Sequence, residues 1–126
     1  MQNTKPSLLI VDDDLPTLEL YQRELSGEYC VLTCQDRPEA EKLLLTPGLS
    51  AVILEPTISG GEGWKLLKEL RVRWSGGKRA FPIILCSSSD ERKRGMVEGA
   101  QAFLIKPVLP ADLHLTLRRV MAFHPG

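Results

Sequence analysis

Five short apolar runs, each followed by an amphipathic stretch, predict a doubly wound α/β domain on a five-stranded sheet. The runs are continuous rather than alternating, which suits parallel strands covered on both faces. Turn residues part run from helix along the whole chain, and polar side chains gather where the runs end.

The first strand is Ser7-Leu8-Leu9-Ile10-Val11, stopped by Asp12, Asp13 and Asp14. Pro16 suits the first turn of a helix in which Leu18, Tyr21 and Leu25 recur at helical spacing. Tyr29 to Cys34 is the second strand, and the next helix covers Arg37 to Leu45 with Ala40, Leu43 and Leu44 as its stripe. Ala51 to Leu54 is the third strand and leads into Glu55. Glu62 to Trp74 carries Leu66, Leu67 and Leu70, and Ser75-Gly76-Gly77 closes it. Trp74 to Arg79 is the most loop-like stretch. Pro82 to Cys86 is the fourth strand, ending in Ser87 and Ser88. The helix expected over Asp90 to Glu98 is short and carries Gly95, which costs about 1 kcal/mol against alanine. Ala102 to Ile105 is the fifth strand and meets Lys106-Pro107; after Pro110, Leu113, Leu117, Val120 and Met121 share a helical face.

Composition narrows the function. The chain has 126 residues, 43% hydrophobic and 25% charged, which suits one globular domain over 1–126. Sixteen acids balance sixteen bases, which argues against a nucleic-acid grip spread over the surface. The bases cluster locally, at Arg71, Arg73, Lys78 and Arg79 and at Arg92-Lys93-Arg94, and read as solvated loop charge. No long apolar span and no charged-then-apolar leader stand in the sequence, so the expectation is a cytoplasmic domain without a membrane helix. Cys30, Cys34 and Cys86 form no Cys-x-x-Cys pair and read as small buried side chains. His114 and His124 have no cysteine at zinc-ligand spacing. Trp64 and Trp74 flank a helix and read as partial core.

Open α/β sheets bind ligands beyond the carboxyl ends of their strands. Asp12, Asp13, Glu55, Ser87 and Lys106 are the residues that this fold brings to that edge. Three like charges brought together need a cation nearby or a raised pKa.

This pattern resembles the receiver domain of two-component response regulators over essentially the whole chain. The acidic pair matches Asp12 and Asp13, the hydroxyl switch residue Ser87, the aromatic switch residue Phe103 and the lysine Lys106. Gly63 matches the glycine that opens the third helix. The resemblance implies a three-layer, flavodoxin-like sheet of order 2-1-3-4-5. It also implies a histidine kinase or phosphotransfer partner that phosphorylates a carboxylate at the end of the third strand. The acidic pair would hold Mg²⁺, a backbone carbonyl near Thr57 adding a ligand, while Lys106 and Ser87 contact the phosphoryl oxygens. Ser87 and Phe103 would then move together to bias a surface read by an effector domain.

The acceptor position departs from that pattern. It holds Glu55, followed by Pro56, with Ser59 where the family usually has proline; no aspartate stands between Asp36 and Asp90. An extra methylene displaces the carboxylate, and an error of about 1 Å can cost on the order of 100-fold in rate. The expectation is a non-enzymatic receiver-like module that is not phosphorylated in the ordinary way and acts through protein contacts. Two readings of Glu55 stand. It reaches toward Ser87 and Lys106 and partly imitates a phospho-aspartate, or it pairs with Lys106 and leaves a fixed docking surface. The alternative is ordinary phosphorylation on Glu55. Weak Mg²⁺ binding is expected at Asp12, Asp13, Glu55 and Thr57. The short fourth helix argues against transfer of the family's dimer geometry, and the oligomeric state stays open.

Overall fold

The computed structural model describes residues 5–73 and 81–122; the expectations placed on Trp74, Lys78, Arg79 and His124 lie outside them. The elements follow in strict alternation: β1 (Ser7–Val11), α1 (Leu15–Leu25), β2 (Cys30–Cys34), α2 (Arg37–Leu43), β3 (Leu49–Leu54), α3 (Ile58–Arg73), β4 (Ile83–Ser87), α4 (Arg92–Val97), β5 (Ala102–Ile105) and α5 (Pro110–Ala122). All strand pairs are parallel and the sheet order is β2-β1-β3-β4-β5. The doubly wound, five-stranded architecture is therefore the one the apolar runs predict.

Successive strand side chains point to opposite faces, so each apolar run feeds two cores. Leu9, Val11, Val52, Leu54, Ile83 and Leu85 pack beneath Ala40 of α2 and Trp64, Leu66, Leu67 and Leu70 of α3. Leu8, Ile10, Ala51, Ile53, Ile84 and Cys86 pack beneath Leu18, Tyr21 and Leu25 of α1 and Leu113, Leu117 and Val120 of α5. The result is three layers.

Helix ends follow local chemistry. Asp14 caps α1 by accepting from the Thr17 N–H at 3.2 Å, with Pro16 in the first turn. Helix α2 stops at Leu43, short of the expected Leu45, as tight turn bonds from Leu45 to Lys42 and from Thr46 to Leu43 close its end ahead of Pro47. Within α3 the backbone of Ser59, Gly60 and Gly61 is left-handed, with φ of 48°, 73° and 109°. Regular helix therefore begins at Glu62, as expected, and the φ of Ser59 is one proline cannot adopt. Gly63 is obligatory for a different reason: a Cβ there would lie 2.6 Å from Pro56 Cα and 2.7 Å from the Glu55 carbonyl oxygen. The helix and the loop that carries Glu55 touch backbone to backbone.

Helix α4 spans six residues and is as short as Gly95 suggests. That glycine also lets α4 lie close to the sheet, since a Cβ would meet Leu85 and Phe103 side-chain atoms at 2.9 Å. Two contacts tie α4 to α3: the Arg94 guanidinium stacks 4.0 Å from the Trp64 ring centroid, and Arg71 Nη1 donates to the Val97 carbonyl at 3.0 Å. The expectation that all three cysteines are buried fails. Cys30 is exposed, because it opens β2, an edge strand, whereas Cys34 and Cys86 are buried.

Candidate functional site

Strands β1, β3, β4 and β5 deliver Asp12, Glu55, Ser87 and Lys106 to one edge of the sheet. Asp12, Glu55 and Ser87 are the buried polar residues of the described core, at 2%, 5% and 2% exposure. Burying two carboxylates requires compensation, and Lys106 supplies it. Its Nζ donates to Asp12 Oδ2 at 2.6 Å and to Glu55 Oε1 at 3.0 Å. The remaining oxygens have partners too. Asp12 Oδ1 accepts from the Asp14 N–H at 2.9 Å, and Glu55 Oε2 accepts from the Thr57 N–H at 3.2 Å and hydroxyl at 3.0 Å.

The electrostatics follow from this packing. Burial pushes the Asp12 carboxyl above its ordinary range, against the pull of the Lys106 hydrogen bond. Burial alone would lower Lys106, but its hydrogen bonds to Asp12 and Glu55 outweigh that and hold the ammonium above the usual lysine range. Beneath the cluster the Tyr21 hydroxyl lies 3.4 Å from Cys86 Sγ, and burial raises the pKa of both groups.

The expected residues do not all converge. Among the described residues no hydrogen bond joins Glu55 to Ser87; the Ser87 hydroxyl accepts from the Ser89 N–H at 3.3 Å. Glu55 thus meets Lys106 but not Ser87. Asp13 is exposed beside the buried Asp12. Phe103 is partly buried and packs below Gly95. From the sequence, Thr57 offers the site only a backbone carbonyl, whereas in the structure its hydroxyl is bound to Glu55. Its place two residues past a strand-end carboxylate was the available signal, since short polar side chains there bond back to the turn.

Hard carboxylate oxygens suit Mg²⁺ in kind. Among the described residues, however, no three of the Asp, Glu, His and Cys side chains stand together as an ion would need. The Lys106 ammonium lies between the two buried carboxylates. As arranged, these residues do not fit a resident divalent ion. Three of the clustered basic residues pair locally: Arg92 with Asp90 at 3.1 Å, Arg94 with Glu91 at 3.8 Å and Arg71 with Glu98 at 3.9 Å. Among the described residues no helix is long and apolar enough to cross a membrane.

A doubly wound sheet here joins buried acids, a hydroxyl and a lysine at one edge. The chain belongs to the response regulator receiver domain family, whose family model matches residues 8–118. It is 34% identical over 122 residues to the two-component response regulator ORR3 of Oryza sativa subsp. indica, covering 93% of this chain and 92% of that protein. It is 30% identical to the hydrogenase transcriptional regulatory protein HoxA of Cupriavidus necator, covering 96% of this chain but spanning only 25% of that protein's length. Among solved structures, the chemotaxis response regulator CheY4 of Vibrio cholerae superposes with a TM-score of 0.79 at 25% identity, over 93% of this chain and 99% of that one.

Proposed function

We propose that residues 1–126 form a receiver module of two-component signalling that takes no phosphate in the ordinary way and works through protein contacts. The Lys106 bridge carries this reading. The ammonium that would meet incoming phosphoryl oxygens is held at 3.0 Å by Glu55, a residue one methylene longer than the usual acceptor. The second oxygen of Glu55 is occupied by Thr57, so the carboxylate is not aimed at a donor. The Ser87 hydroxyl turned to Ser89 favours a fixed docking surface over imitation of a phospho-aspartate. A lone carboxylate also carries at most one charge, against up to about −2 for a phosphoryl group. The partners are a histidine kinase, a phosphotransfer domain or an effector domain in the cytoplasm, and the module itself is not an enzyme.

The test is incubation with acetyl phosphate and Mg²⁺, then intact-mass measurement before and after hydroxylamine, which cleaves acyl phosphates. Wild type shows no hydroxylamine-labile gain, whereas Glu55→Asp does. A labile gain on wild-type Glu55 overturns the reading. Mg²⁺ binds here only weakly, because it must displace the Lys106 ammonium. Titration followed by Trp64 fluorescence shows no saturation below millimolar metal; tight saturable binding would refute this.

A further inference from the structure

We propose that Thr57 is a phosphoryl-acceptor hydroxyl served by Glu55, so that this chain stores phosphate as a threonine ester instead of an acyl phosphate. The inference rests on the reading that Glu55 is not itself the acceptor, and deepens it. Thr57 is exposed at the mouth of the site, while the Glu55 carboxylate below it is 5% exposed. The hydroxyl donates to Glu55 Oε2 at 3.0 Å, inside the range that pairs a nucleophile with its general base. A third group orients the base, as such pairs require: Lys106 Nζ holds Oε1 at 3.0 Å, and the Thr57 N–H fixes Oε2 at 3.2 Å. A carboxylate is base enough for this reaction, since protein kinases use an aspartate to accept the proton of the attacking hydroxyl.

The step balances without a further reactant. Thr57 Oγ1 attacks phosphorus of a phosphohistidine or an acyl phosphate. The new O–P bond forms as the P–N or P–O bond to the donor breaks. The hydroxyl proton passes to Glu55 and on to solvent, while imidazole leaves with a proton from solvent or the carboxylate leaves as its anion. Glu55 returns to its ionised state. The extra methylene that spoils Glu55 as acceptor brings its oxygen to the hydroxyl two residues on.

The experiment uses acetyl phosphate with Mg²⁺ on wild type, Thr57→Val, Thr57→Ser and Glu55→Gln, with intact mass, hydroxylamine treatment and fragment-ion mapping. Wild type gains one phosphoryl group that resists hydroxylamine and maps to Thr57. Thr57→Ser keeps the gain, Thr57→Val loses it, and Glu55→Gln slows it on the order of 100-fold, the contribution of a general base. Circular dichroism and melting confirm that each variant is folded. The absence of a hydroxylamine-resistant gain in wild type, or a gain that survives Thr57→Val, overturns the proposal. A hydroxylamine-labile group on Glu55 overturns instead the reading it rests on.

Discussion

The two sides of the sheet are closed by different means. On the side of α1 and α5, large apolar side chains meet large apolar side chains, with Leu18 and Leu25 facing Leu113, Leu117 and Val120 across the layer. On the side of α2, α3 and α4, two glycines set the spacing and charged groups hold the outer rim. Gly63 presses on the Glu55–Pro56 backbone, Gly95 on Phe103, and Arg37 bridges to Glu62 at 2.7 Å and to Glu69. Both sides bury an apolar cluster, and the second adds close backbone approach at its glycines. Both sides therefore resist the loss of atoms, and the α2/α3/α4 side also resists their addition at Gly63 and Gly95.

The largest effects come from one substitution on each side of the sheet. Gly63→Ala places a methyl 2.6 Å from backbone that cannot step aside, so it lowers unfolding free energy by about 3 kcal/mol or more. Leu117→Ala empties a fully buried site on the opposite side and costs about 3 kcal/mol by the reverse mechanism. Urea unfolding measures both, and a neutral Gly63→Ala would refute the close-approach account.

Gly95→Ala has a smaller effect. Alanine gains about 1 kcal/mol of helix propensity, but its methyl meets Leu85 and Phe103 side-chain atoms at 2.9 Å. The expected result is a net loss of about 1 kcal/mol with a shifted Phe103 ring signal in NMR spectra. A gain in stability would show that α4 can lift from the sheet without cost.

The smallest effect is read with the cysteines. Cys30 is exposed and reacts with a thiol reagent at once, whereas burial pushes the Cys34 thiol up to about 12 and also raises Cys86. Cys34 lies on the α2/α3 side and Cys86 on the α1/α5 side, so their slow labelling reports local opening of each. Cys34, on the edge strand at 5% exposure, is expected to label faster than Cys86 at 1% on an inner strand. The reverse order would place the looser packing on the α1/α5 side.

What the sequence revealed follows the same division. Leu8 to Val11 and Ile83 to Cys86 were legible as strands because burial on both faces leaves an unbroken apolar run. The stripes of α1 and α5 were legible because one apolar face repeats at helical spacing. The regular helix from Glu62 was legible because Leu66, Leu67 and Leu70 recur at helical spacing. Pairings made only by tertiary approach were not. Nothing local marks Arg94 as the partner of Trp64, or separates the exposed Cys30 from the buried Cys34 in the same strand. At the site, Asp12, Glu55 and Lys106 were legible as strand-end residues. The turn of Ser87 to Ser89 was not, because it depends on a side-chain torsion, and the bond from Thr57 to Glu55 was marked only by the spacing of the two residues.

The Arg94–Trp64 stack has a consequence in populations. Six residues are too few for a helix to hold itself in water, so α4 stays formed only as far as its contacts with α3 and the sheet persist. Any partner that reads α4 binds with its intrinsic affinity multiplied by the fraction of molecules in which that helix is intact. Were the fraction to fall to roughly a tenth, recognition would weaken about tenfold with no interface atom changed. Arg94 would then set that fraction through an aromatic ring the partner does not need to touch.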